Sequence, residues 1–279
     1  MTKFDKLFGR EIIILTTNQK VCLDEYHPVS IDHVTKVSTE INEGGYNCKI
    51  LAVDSSSDLK QKLSLLDPQK VVVLNWIEQI DNLSYGYHIA PQILEDFGFA
   101  YTGNDAKILL DSCDKIKIKK MLVDASVSTP KYTVLYPGST DLPDWNIFPC
   151  ILKPAFEHCS SGISHCSVVD TKDLLFARAN ELFSQFNQPL LVEKFIDGKE
   201  YFVAAWGPNQ PEIMPSICQD YRYTDDYHYQ IYDYDTKWNK DSQYFNEYWS
   251  HSKVKSVNGT SKKIYEEALK AIQYTGCQG

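Results

Sequence analysis

Apolar residues in the first third of the chain alternate between strand-like runs and helical spacing. Glu11–Thr17 is a β-branched run that reads as a strand. Val29, Ile31, Val34, Val37 and Ile41 then recur near helical period over Val29–Asn42, and Gly44-Gly45 ends the pattern. Cys48–Val53 reads as a second strand, Asp58–Leu66 as a short helix and Lys70–Asn75 as a fully apolar strand. Helical spacing returns at Ile89, Ile93, Leu94 and Phe97 before Gly98. Strand and helix in strict alternation argue for a parallel α/β sheet, with residues 1–103 as its unit. The chain has no Gly-x-Gly and no P-loop, which excludes a Rossmann fingerprint and a Walker motif.

The pattern changes after the turn Tyr101–Asn104. Asp105–Asp111 and Lys115–Ala125 read as helices, Thr129-Pro130 as a break and Lys131–Leu135 as a strand, with a loop over Tyr136–Pro149. Ile151 and Leu152 form a short strand that delivers Lys153 to its end, where Pro154 is expected to stop pairing. A turn rich in Ser and Gly follows, whose hydroxyls and backbone N–H groups suit an anion. Asp170–Phe186 is an amphipathic helix with Leu174, Ala177, Leu182 and Phe186 expected inward. Leu190–Ile196 is an apolar run interrupted by Glu193, with Glu200 seven residues after it, and is expected to open a second small α+β unit. Asp220–Trp249 holds eight of the 18 tyrosines, and Ser261–Thr275 reads as a helix.

Composition narrows the function. The 279 residues are 43% hydrophobic, enough for two or three packed units. A net charge of −9 argues against nucleic acid or an anionic membrane as partner. No apolar run approaches the roughly 20 residues of a membrane helix, and Met1–Leu15 is no secretory signal, so a cytoplasmic protein is expected. The eight cysteines, none in a Cys-x-x-Cys pair, then read as reduced thiols. His158-Cys159 and His165-Cys166 repeat like metal ligands, but a zinc site would need all four to converge from one short loop, and the phosphate-loop reading claims the same residues.

A lysine at a strand end, an anion-cradling loop and two carboxylates around an apolar run together suit a nucleotide. Their order carries a resemblance: Asp114-Lys115, then Lys153-Pro154 with Glu157-His158-Cys159-Ser160-Ser161-Gly162, then Glu193 and Glu200. This closely resembles the ATP-grasp superfamily and, within it, the D-alanine–D-alanine ligase family. The resemblance implies an N-terminal parallel α/β domain (1–103) followed by a two-part ATP-grasp fold of α+β units (104–187 and 188–279). It implies that Lys115 and Lys153 meet phosphate oxygens, with Glu157, Ser160 and Ser161 in the phosphate loop. Adenine would sit against Glu193, Lys194, Phe195 and Ile196, with Lys194 and Ile196 bonding through the backbone and Glu200 taking the ribose. Lys237, in a Tyr-rich segment that resembles the family's substrate-covering loop, would reach the γ-phosphate, and with Ser160 would be catalytic. Lys119 stands one turn after Lys115 in the same pattern, whereas on residue type alone Lys117, Lys119 and Lys120 read as an ordinary solvated helix face.

The implied chemistry is carboxylate activation through an acyl phosphate that an amine then displaces, with ATP and Mg²⁺ as cofactors, small amino-acid-like substrates and a homodimer allowed for. The sequence departs from the family on the amino-acid side. Cys159 stands for the loop's first serine, Trp238 for the tyrosine after the lid lysine, and Tyr26 for a glutamate, although Glu25 is adjacent. The His-Gly and Gly-Glu-Asp-Gly stretches expected before Gln92 are also missing. The family's magnesium ligands, an Asp and a Glu-x-Asn, are expected beyond residue 279, so no metal ligand is assigned here. The alternatives are a nucleotide-binding module without turnover and an interaction protein using its Tyr-rich segment.

Overall fold

In the computed structural model, which describes residues 9–17, 31–81, 83, 86–142, 144–207, 211–214, 216–219, 231–246, 255–256 and 262–277, the aliphatic runs of the first third pair in parallel. Strands β1 (Glu11–Thr17), β2 (Cys48–Val53), β3 (Val71–Asn75) and β4 (Ala100–Tyr101) form a sheet in the order β2-β1-β3-β4. Side chains alternate across the sheet, so the central strand β1 is buried on both faces. Ile12 and Ile14 meet Val34, Val37 and Ile41 of helix α1 (Ile31–Glu43). Ile13 and Leu15 face the other way, against Leu59 and Leu63 of α2 (Ser56–Leu63) and Ile93 and Leu94 of α3 (Ile89–Asp96). Helix α2 starts before the sequence pattern suggests because Ser55 accepts the Asp58 N–H at 3.1 Å as an N-cap. It stops at Leu63 and leaves Leu66 in a tighter turn, short of Pro68. The expected helix start at Val29 lies outside the described residues. Contacts divide the chain into Met1–Asp111, with Gln278–Gly279, and Ser112–Cys277. Helix α4 (Ala106–Ser112) closes the first of these.

The second unit opens with α5 (Lys115–Asp124), capped by the Asp114 carboxylate, which accepts from Ile116 N at 2.9 Å and Lys117 N at 3.1 Å. An antiparallel sheet follows, from β5 (Tyr132–Leu135), β6 (Cys150–Pro154), β7 (Val168–Val169) and β8 (Leu190–Lys194), in the order β5-β8-β6-β7. Helix α6 (Lys172–Phe186) packs against one face. After it come a three-stranded sheet, β13-β12-β9, from β9 (Glu200–Phe202), β12 (Ile217–Gln219) and β13 (Lys255–Ser256), and a pair of β10 (Ala205–Trp206) with β11 (Glu212–Ile213). Helices α7 (Tyr234–Trp238) and α8 (Lys262–Thr275) complete the described elements. Among the described residues no helix is long and apolar enough to cross a membrane.

Three expectations are corrected here. Pro154 does not end pairing, since it stands opposite Leu190 in register. Ala155 N donates to Pro189 O at 2.9 Å, so strand alternation turns the Pro154 nitrogen to the opposite side, where β7 has already ended and no donor is needed. Leu190–Lys194 does not open a separate unit; it is the central strand between β5 and β6, which explains its nearly continuous burial. In α6 the inward stripe is Leu175, Ala179, Leu182 and Phe186, while Leu174 is 52% exposed and Ala177 is exposed as well. Thr171, as N-cap to Leu174 N, sets a helical phase one residue later than the pattern suggests.

Leu182→Ala removes a fully buried side chain and is expected to cost about 2–5 kcal/mol. Leu174→Ala should stay within about 0.5 kcal/mol of the parent. Urea unfolding of both variants checks the phase of α6, and equal losses would overturn it.

Candidate active site

Alternation along β6 and β8 sorts the residues of the sheet into a packing face and a chemical face. Cys150, Leu152, Leu190 and Val192 join Leu175, Ala179 and Leu182 of α6 in the core. Ile151, Lys153, Leu191 and Glu193 point the other way. The register sets Ile151 opposite Glu193 and Lys153 opposite Leu191, so Lys153 and Glu193 are diagonal neighbours on one face. Lys153 Nζ donates to Glu193 Oε2 at 2.6 Å. Across the other ladder Tyr132 stands opposite Glu193.

The second oxygen of Glu193 is taken by Lys119 from α5. The same ammonium donates to the Thr129 hydroxyl and lies 5.7 Å from the centre of the Tyr132 ring. The solvated face expected for Lys119 is therefore corrected: the residue is only 6% exposed. The available signal was its place one turn after Lys115, which α5 turns toward the same side. Lys115 Nζ donates to Pro154 O at 3.1 Å and to the Glu157 carbonyl. Burial, and next the charge of Lys153, pull its ammonium down to about 8. For Glu193 burial pushes the carboxyl up, but the charge of Lys153 and hydrogen bonds from Lys119 and Lys153 outweigh it and leave it below the usual range. Three lysines thus crowd one buried carboxylate, and an anion would relieve the excess positive charge.

The Ser-Gly loop is strained and turned inward. Cys159 (φ 54°), Ser160 (φ 66°) and Gly162 (φ 74°) all occupy the left-handed region. Glycine is required at 162, since a Cβ there would sit 2.6 Å from Pro154 Cγ and 2.9 Å from Phe186 Cε2. Glu157 Oε1 accepts from Gln188 Nε2 at 2.9 Å, and Gln188 Oε1 accepts from Phe156 N at 2.6 Å, which ties the loop base to the turn before β8. The open cradle of N–H groups is corrected in part: Ser161 N donates to His158 O and Ile163 N to Ser160 O, both at 2.9 Å. The Ser160 hydroxyl donates to Tyr232 O at 3.0 Å.

That last bond begins a latch to the Tyr-rich segment. Trp238 Nε1 donates to Cys159 O at 2.8 Å, and Tyr234 N to Ile163 O at 3.0 Å. Asp233 caps α7 by accepting from Thr236 N at 2.9 Å. Two of the three divergent positions, Cys159 and Trp238, are therefore in contact, through a main-chain carbonyl. Tyr26 lies outside the described residues. Lys237 Nζ lies 5.8 Å from the centre of the Tyr232 ring and 5.1 Å from that of Trp238.

The strip after Glu193 combines used and exposed groups. Lys194 N donates to Lys131 O at 2.9 Å and Phe195 N to Pro149 O at 3.0 Å. Phe195 packs on an apolar patch of Ile151, Val168, Ile231 and Ile163 beside the lysines. Ile196 is 60% exposed, and Glu200 is exposed at the start of β9. Among the described residues no three His, Cys, Asp or Glu side chains converge as a zinc site would require.

Comparison with known proteins adds three findings. The family model described as "D-ala D-ala ligase C-terminus" matches residues 131–279. An uncharacterised protein of Sinorhizobium fredii is 30% identical over 52% of this chain and 42% of its own length. A D-alanine–D-alanine ligase of Xanthomonas axonopodis pv. citri is also 30% identical, over 75% of this chain and 64% of its own length. The chain thus spans less than two thirds of the length of these curated relatives. Among solved structures, the D-alanine–D-alanine ligase of Bacillus anthracis complexed with ATP superposes with a TM-score of 0.67 at 17% identity, covering 96% of this chain and 78% of that one. The VanG D-Ala:D-Ser ligase of Enterococcus faecalis gives 0.66 at 17% identity, over 96% and 83%. At such identity the likeness shows a shared fold.

Two outcomes follow from the geometry. Glu193→Gln leaves two lysines around a neutral amide, one of them buried, and should destabilise the protein by about 3 kcal/mol in urea unfolding; no loss would mean that the pair is not formed. Lys115 titrates near 8 when folded and near 10.5 when unfolded, so between those values the unfolded chain binds more protons. Its contribution to stability therefore improves as pH rises through that window. Unfolding curves taken across it should show this rise in the parent and a flatter profile in Lys115→Met.

Proposed function

Because the chain belongs to the D-alanine–D-alanine ligase family, whose C-terminal domain its residues 131–279 match, we propose that it is an ATP-dependent carboxylate–amine ligase with an altered amino-acid site. The observation that carries this reading is the cluster of Lys119 and Lys153 on the buried carboxylate of Glu193, with Lys115 nearby facing Glu157, beside the apolar patch of Ile151, Val168 and Phe195. A polyphosphate neutralises the first feature and a base covers the second. In this reading Lys115, Lys153, Glu157, Ser160 and Ser161 hold phosphates. Glu193, Lys194, Phe195 and Ile196 flank adenine, and Glu200 takes the ribose. The second half of the nucleotide grasp begins after β8.

The chemistry is two displacements. A carboxylate oxygen of the first substrate attacks the γ-phosphorus, and the bond from that phosphorus to the bridging oxygen of ADP breaks. An amine nitrogen then attacks the acyl carbon, and inorganic phosphate leaves with the electron pair while the nitrogen loses a proton. Lysines lower the barrier of the first step by opposing charge on the phosphoryl oxygens. Lys237 reaches the γ-phosphate from the lid, and Ser160 exchanges its bond to Tyr232 O for one to the phosphoryl group. Magnesium belongs to this class of reaction and, when bound with the nucleotide, would oppose charge on the phosphoryl oxygens. Water is excluded by the segment that Trp238 pins to Cys159 O. A cytoplasmic location and a homodimer belong to the same proposal.

The substrate side differs where Cys159, Trp238 and Tyr26 stand. A hydroxyl set that would orient an amino acid is replaced by an indole bonded to a carbonyl. Joining two D-alanines should therefore be slow, by about 2–4 kcal/mol of transition-state stabilisation.

Millimolar ADP or ATP should raise the melting temperature, equivalent to about 2.7 kcal/mol at a hundredfold excess over Kd. Lys153→Ala should lose most of that rise, and an unchanged melt of the parent would overturn nucleotide binding. Phosphate release with ATP, screened over D- and L-amino acids and hydroxy acids, identifies the substrates. Fast and selective release with D-alanine would overturn the altered site.

A further inference from the structure

Glu193 has two ammonium partners of different kinds. Lys119 and Glu193 side chains are 7% and 6% exposed, whereas Lys153 is 32% exposed. Lys119 is also fixed by the Thr129 hydroxyl and by the Tyr132 ring, both outside the nucleotide strip. Its helix is anchored by the Asp114 cap and, one turn before it, by Lys115 on the Pro154 and Glu157 carbonyls. Lys153 has a single ion-pair partner among the described residues, and its flexible stem ends at the half-exposed side of the cluster. One lysine is thus built in and the other has room to turn.

We infer that Lys119 is a positioning residue, the resident counter-ion of Glu193, which allows Lys153 to leave that carboxylate and turn onto a nucleotide phosphate. This rests on the proposed nucleotide site and assigns a role within it to a residue that touches no nucleotide. If Lys153 leaves while Lys119 stays, the buried carboxylate keeps a partner and an intact ion pair remains. If Lys119 were apolar, departure of Lys153 would strand a buried anion, so Lys153 would stay where it is. The groups facing the exchange are Lys115 and Lys119 from α5, Lys153 from β6, Glu193 from β8, and Thr129 and Tyr132 before and on β5. Among these Glu193 carries the only negative charge, and Glu157 faces Lys115 from the loop. A phosphate arriving beside Lys153 replaces the negative charge that it gives up.

The test compares ADP with adenosine in displacement titrations on the full chain. Adenosine carries the base and ribose but has no phosphate for Lys153 to meet. Lys119→Met should weaken ADP by about tenfold, the worth of one charged hydrogen bond, and leave adenosine unchanged. The conservative variant Lys119→Arg keeps a cation against Glu193 and should bind ADP near the parental strength. It also controls for folding, because it buries no unpaired carboxylate. ADP binding by Lys119→Met at parental strength, equal losses of ADP and adenosine, or a loss in Lys119→Arg as large as in Lys119→Met would each overturn the positioning role. If the parent does not bind ADP, or Lys153→Ala binds as well as the parent, the nucleotide site falls and this role falls with it.

Discussion

A carboxylate that is 5% exposed and lies among apolar strands needs a partner against it, and Glu193 has two, Lys119 and Lys153. That requirement ties together parts of the chain that are far apart in sequence. It needs the diagonal register of β6 with β8 to bring Lys153 within reach. It needs the Asp114 cap to start α5 at the rotation that turns Lys115 and Lys119 inward together. It also needs α6 to cover the opposite face of the sheet, so that the chemical face is the one left for ligands. Removing any of these leaves a buried charge without its partner, so stability and site geometry are coupled.

The loop after β6 stores strain that the same framework holds in place. Two non-glycine residues with positive φ persist because Gly162 packs against Pro154 and Phe186, while Arg178 Nη2 donates to Gly162 O at 3.0 Å. The Tyr-rich segment then bonds to that loop through Ser160, Ile163 and Cys159. Contact between lid and loop at Cys159 runs through a backbone carbonyl, which any residue supplies. An indole at 238 can donate one hydrogen bond and accept none, so this contact transmits position but cannot relay a proton. In the proposed reading, this departure from the family pattern falls on the amino-acid side and leaves the contact between segment and loop in place.

Much of this was legible along the chain. The alternation of apolar runs and helical spacing determined the parallel first sheet, because a strand buried on both faces must be apolar throughout. The order of Lys115, Lys153, Glu193 and Glu200 carried the resemblance to the family whose C-terminal domain residues 131–279 match. Tertiary structure decided what Lys119 meets, since its place one turn after Lys115 gives its side of the helix but not the distant carboxylate that claims it. It alone placed Leu190–Lys194 in the same sheet as Lys153, because strand pairing depends on register between segments and not on either segment's own pattern. It also turned the loop's Ser161 and Ile163 N–H groups inward, a choice made by backbone angles rather than by residue type. Local sequence determines which face of an element is apolar; what its polar residues meet depends on which element arrives opposite.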